Sequence, residues 1–159
     1  MARSEVISHE TTFRLMMSKE MIFDHVSLAV SNTRTPAVLL KENERQVVVT
    51  RLLERLGVDV TSNTPWDDQN AAEGRQRQDG WELIPMYVGG RECLMFLGGA
   101  RSVWKFRSGS DLLRVLADCP AIEFYVSDEE ASYLLCHNHH DFVIGWGTAS
   151  RWVEVLQAG

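Results

Sequence analysis

Three of the five histidines in this chain fall within one run of six residues, CHNHHD, from Cys136 to Asp141. If the run leaves a strand, His137 and His139 project to one side, as pairs of metal ligands often do, and His140 and Asp141 stand in the turn. That pattern makes His137, His139, His140 and Asp141 the ligands of an alternative reading, a metal-binding protein or metal-dependent enzyme. The leading reading is structural. Asn138 and Asp141 have side chains suited to a tight turn, and the histidines then pack, hydrogen bond locally or contact a partner. Four ligands within five consecutive residues are hard to aim at one ion, so no cofactor is expected. The binding surface then comprises His137, Asn138, His139, His140 and Asp141.

Other chemistry is weaker. Cys136 and His137 are neighbours on an expected strand, so their side chains point to opposite faces and form no nucleophile–base dyad. The segment KFRSGSD, Lys105 to Asp111, sets two cations beside an expected helix start, which suits a small anion. Asp111 already places a negative charge there, so a capped helix is the simpler reading. Trp66 lies in a polar stretch beside Pro65, Asp67 and Asp68. It either anchors that stretch or is held out for a partner. A His-x-His-x-Asp-His metallohydrolase motif starts at His137 but fails at Phe142. The HNH nucleases spread their three residues along a longer ββ-helix unit on a basic surface, so the letters His137, Asn138 and His139 do not make one.

These residues need a scaffold. Apolar residues recur at three- and four-residue spacing between Ser4 and Ala29, which predicts a first helix. Val49, Leu52, Leu53 and Leu56 predict a second, with Gly57 as its left-handed cap. Residues Thr61 to Gly80 read as a long polar surface loop. Six strand-like runs follow: Trp81–Val88, Glu92–Leu97, Ser102–Phe106, Ala121–Val126, Ser132–His137 and Asp141–Trp146. Gly89, Gly90 and Arg91 look like a hairpin between the first two. A short helix over Asp111–Asp118, capped by Ser108 or Ser110, must end before Pro120. Ser150 caps a last turn carrying Trp152, Val153 and Leu156. Trp81, Trp104 and Trp146 are expected in the core. The connections are mostly too short for crossover helices, so the fold expected is a single α+β domain over residues 1–159, an antiparallel sheet of about six strands with N-terminal helices on one face.

Composition narrows the function classes. With 45% hydrophobic and 24% charged residues over 159 positions, the chain matches a globular domain. Its three cysteines show no paired spacing, and its first residues carry charges where a signal peptide needs an apolar run, so reduced thiols and a cytoplasmic location are expected. No stretch is long enough to span a membrane. Residues 121–159 hold one basic and six acidic residues, within a net charge of −6. That acidity excludes a phosphate-binding nucleic-acid surface and favours a protein partner with a basic surface.

The segment FYVSDEEASYLLCHNHHDFVIGWG, Phe124 to Gly147, resembles small bacterial proteins of unknown function in which a strand, NHHD and another strand occur together. More loosely, N-terminal helices, an antiparallel sheet, many tryptophans and an acidic end resemble the SMI1/KNR4-type immunity proteins, which bind and neutralise toxins. The likeness implies a non-catalytic, intracellular protein-binding domain.

Overall fold

The computed structural model describes residues 19–62, 65 and 74–157, with side chains from His25 onward. The first half of the expected N-terminal helix, with His9, lies outside the described residues, as does Trp66.

Helix α1 spans Lys19–Asn32 and buries Val26 and Ala29. It is stopped where the Thr33 hydroxyl donates to the Ala29 carbonyl at 2.6 Å and Arg34 turns left-handed. Strand β1, Ala37–Leu39, leads directly into α2, Glu42–Leu56. At the start of α2, Glu44 accepts the Lys41 backbone N–H at 3.0 Å, and at its end Gly57 closes the helix with φ 69°. A side chain would be strained at that angle, which is why the expected cap is glycine.

Strand β2, Arg75–Gln76, precedes α3, Gly80–Val88. This helix corrects two expectations. Residues 81–88 do not form a strand, and Gly89-Gly90-Arg91 joins a helix to a strand instead of two strands. The buried residues Ile84, Pro85 and Val88, with half-buried Trp81, recur at i, i+3, i+4 and i+7, so the helical period was present beneath a strand-like apolar run.

Next come β3 (Cys93–Phe96), β4 (Val103–Phe106) and α4 (Gly109–Asp118). The Ser108 hydroxyl accepts the Asp111 N–H at 3.2 Å and caps α4, which ends before Pro120 as expected. Then follow β5 (Phe124–Ser127), β6 (Tyr133–His137), β7 (Phe142–Gly147) and α5 (Ser150–Glu154). Ser150 does not cap α5: Ala149 holds that position, and the Ser150 hydroxyl donates to the Gly145 carbonyl at 3.3 Å.

The architecture is α+β. Among the described residues, seven strands form one antiparallel sheet in the order β1-β4-β3-β5-β6-β7-β2. Every adjacent pair is antiparallel. The short strands β1 and β2 form its two edges.

Both faces are covered. Helices α1, α3, α4 and α5 pack with Met95, Trp104, Phe106, Phe124, Tyr133 and Leu135 on one side. Helix α2, with Val58 and Val60, packs with Leu94, Phe96, Tyr125, Cys136 and Trp146 on the other. The two N-terminal helices therefore lie on opposite faces. Two-sided burial explains why β3, β5 and β6 read as continuous apolar runs instead of alternating ones.

Candidate functional site

The CHNHHD run closes the β6–β7 hairpin, and the turn is built from its own polar groups. The Asn138 N–H donates to the Phe142 carbonyl and the Asp141 N–H to the Asn138 carbonyl, each at 3.0 Å. The Asn138 side-chain oxygen accepts two more backbone N–H groups, from His140 and from Phe142, at 3.0 Å each. Asp141 takes a left-handed φ of 63°, a conformation that aspartate tolerates better than most residues. Asn138 is thus buried with its oxygen satisfied, as a turn-forming residue requires.

The histidines part company at this turn. The His137 ring is only 7% exposed and its Nε2 lies 3.0 Å from the Arg77 carbonyl. A carbonyl can only accept, so Nε2 carries the proton. An Asp141 carboxylate oxygen stands 3.6 Å from the same nitrogen, and the ring packs edge-on to Phe124. On a third side is Gly80, where an added Cβ would fall 2.6 Å from the ring. Burial lowers the His137 pKa below its ordinary value, against opposing contributions from the Arg77 hydrogen bond and the carboxylates of Asp141, Asp79 and Glu123.

His139 is exposed instead. Its Nδ1 lies 3.0 Å from Glu123 Oε1, which also accepts the His139 backbone N–H at 3.1 Å. The His140 ring sits beside it, centroids 4.0 Å apart. The run therefore divides into an exposed pair, His139 with His140, steadied by Glu123, and a buried layer in which His137 meets Arg77 and Asp141. The four candidate metal ligands do not converge, and among the described residues no group of three His, Cys, Asp or Glu is placed to hold a metal ion.

Four neighbours were not singled out from sequence: Glu123, Arg77, Asp79 and Gly80. Glu123 was recoverable from strand pairing alone, because Phe124 opposite His137 places the residue before it beside the turn. The other three belong to the presumed loop. Its end instead forms β2 on β7, and the Arg77 N–H continues that ladder to the Asp141 carbonyl at 2.8 Å. The Arg77 guanidinium grips both Asp79 oxygens at 2.8 Å and the Gln157 carbonyl at 3.0 Å, which holds the Asp79 carboxyl below its usual range. Gln76, Arg77, Gln78 and Asp79 line a depression of about 470 Å³ beside this network.

The remaining candidates are accounted for by local structure. Cys136 faces the α2 side of the sheet while His137 packs against Phe124 on the other side, so the pair forms no dyad. Burial pushes the thiols of Cys93 and Cys119 up to about 12 and about 11, and that of Cys136 well above its ordinary value, which leaves protonated, poorly nucleophilic sulfur. At the start of α4, Arg107 pairs with Asp111 at 3.0 Å and Lys105 with Glu92 at 3.1 Å, so these cations already face carboxylates.

No helix among the described residues is long and apolar enough to cross a membrane. The chain matches no family model, no curated protein and no solved structure.

Proposed function

We propose that this chain is a non-catalytic protein-binding domain, of the kind immunity proteins use to neutralise toxins, and that the β6–β7 turn lies at its recognition surface. The observation that supports this reading most is the pairing of exposed His139 and His140 on a turn whose backbone is already held by Asn138 and whose first imidazole is steadied by Glu123. Side chains fixed before an encounter lose less conformational entropy when a partner arrives. The surrounding carboxylates, Glu123 and Asp141, and the acidic last quarter of the sequence, residues 121–159, suit a partner with a basic surface. An intracellular location accords with this role.

Affinity capture from the source cell tests it. The wild-type chain should retain a basic protein that is released as salt is raised to about 0.5 M, where the screening length falls to a few ångströms. The double variant His139→Ala/His140→Ala should retain at most a tenth as much. Equal retention by the wild type and the variant would remove the turn from the interface.

A further inference from the structure

We propose that His137 is an acid-sensitive latch that holds residues 74–80, and through them the segment from Glu154 to Gln157, against the edge of the sheet. This inference does not depend on the binding reading.

The geometry is specific. His137 ends β6, and its Nε2–H donates to the carbonyl of Arg77, the residue that follows β2. The ring is enclosed by Phe124, by Val143 opposite it on β7 and by Gly80 at the start of α3, where a Cβ would come within 2.6 Å of the ring. Arg77 passes the connection onward. Its guanidinium donates to the Gln157 carbonyl at 3.0 Å, and Arg75 donates to the Glu154 carbonyl at 3.2 Å. One buried imidazole thus ties β6 to the segment that clasps the chain's last described turn.

Charging that imidazole adds a proton on Nδ1, inside an enclosure that excludes most water. Three carboxylates face the ring: Asp141 from its own hairpin, Asp79 from the clasping segment and Glu123 from the residue before β5. Asp79 is already matched by the Arg77 guanidinium and Glu123 is bonded to His139, so their relief of a buried charge is partial. A charged ring would also strengthen its bond to the Arg77 carbonyl, yet burial outweighs that bond and all three carboxylates, and the folded-state pKa lies below the ordinary value. A histidine with a depressed folded pKa contributes its full stabilisation above about pH 6.5, and that contribution declines as the pH falls through the folded value. The ring gains hydration by leaving its enclosure, which breaks the bond to Arg77 and loosens the segment it holds.

Hydrogen exchange on the full chain, expressed as protection factors so that the intrinsic pH dependence cancels, reads the latch directly. Between about pH 7.5 and pH 5, the Arg77 and Gly80 amides should lose protection several-fold, while the amides of β3 and β5 hold theirs. The variant His137→Gln keeps a donor but cannot take a charge, so its protection should show no such step. Unchanged protection in the wild type, or the same step in the glutamine variant, would overturn the proposal. Should that variant fail to fold, NMR titration of the wild-type His137 ring decides: a midpoint below about 6.5 is expected, and one at or above that value contradicts the latch.

Discussion

The side-chain oxygen of Asn138 and the backbone carbonyl of Phe142 form a reciprocal clasp, the first accepting the Phe142 N–H and the second the Asn138 N–H, both at 3.0 Å. Asn138→Ala removes one half of that clasp and the bond to His140 with it, leaving two backbone donors without their acceptor. A loss of about 1–2 kcal/mol in folding stability is expected from urea unfolding, because both donors are only part-buried and water can partly replace the lost acceptor. A change below about 0.5 kcal/mol, the scale of an ordinary surface substitution, would show that the turn does not need Asn138.

The two exposed imidazoles should behave in the opposite way. His139→Ala/His140→Ala deletes side chains at the tip while sparing the Asn138 bonds, so stability should change by only about 1 kcal/mol. Thermal unfolding beside the Asn138 variant measures the contrast. A larger loss in the double variant would reverse the roles assigned to these residues.

Close approach between α3 and α4 rests on Gly109. A Cβ there would lie 2.0 Å from the Pro85 carbonyl oxygen, and the Gly109 N–H already donates to the Gly89 carbonyl at 2.7 Å. Gly109→Ala should destabilise by about 3 kcal/mol or more, as overpacking against rigid backbone does. Gly90→Ala is the control, because an added Cβ there meets no atom within 4 Å. Equal midpoints for the two variants in chemical denaturation would contradict this packing.

Thiol chemistry should be almost silent in the native state. Cys93 and Cys136 are buried and Cys119 is half-buried beneath the His25 carbonyl, to which its sulfur donates at 3.9 Å. With their pKa values raised by burial, the cysteines should react with a thiol reagent at pH 8 far more slowly than a free cysteine. Denaturation without reductant should then release three thiols, and finding one instead would reveal a disulfide.

Much of the fold was legible because the decisive signals are local. Ser108 and Gly57 cap α4 and α2 as their residue types suggest, and the continuous apolar runs of β3 to β7 are strands. One failure was local and the others were not. Trp81, Ile84, Pro85 and Val88 carry a helical period, but a proline within an apolar run bounded by glycines mimics a strand and its turn. Strands β1 and β2 span three and two residues, too short for any alternation to register, and only pairing with β4 and β7 defines them. At the site, the turn-forming roles of Asn138 and Asp141 were visible in the sequence. The separation of buried His137 from exposed His139 was not, because it depends on Arg77 and Gly80, some sixty residues earlier in the chain.

Calorimetric titration with zinc and with manganese near pH 7.5 separates a recognition turn from a metal centre most directly, since ligation by histidine is tight and releases protons when a true site exists. Because His137 donates its Nε2–H to the Arg77 carbonyl while His139 turns to Glu123, only weak, non-stoichiometric heats are expected, the same in the wild type and in His139→Ala/His140→Ala. Tight one-to-one binding that the double variant abolishes would contradict the recognition turn and place a metal centre at this hairpin instead.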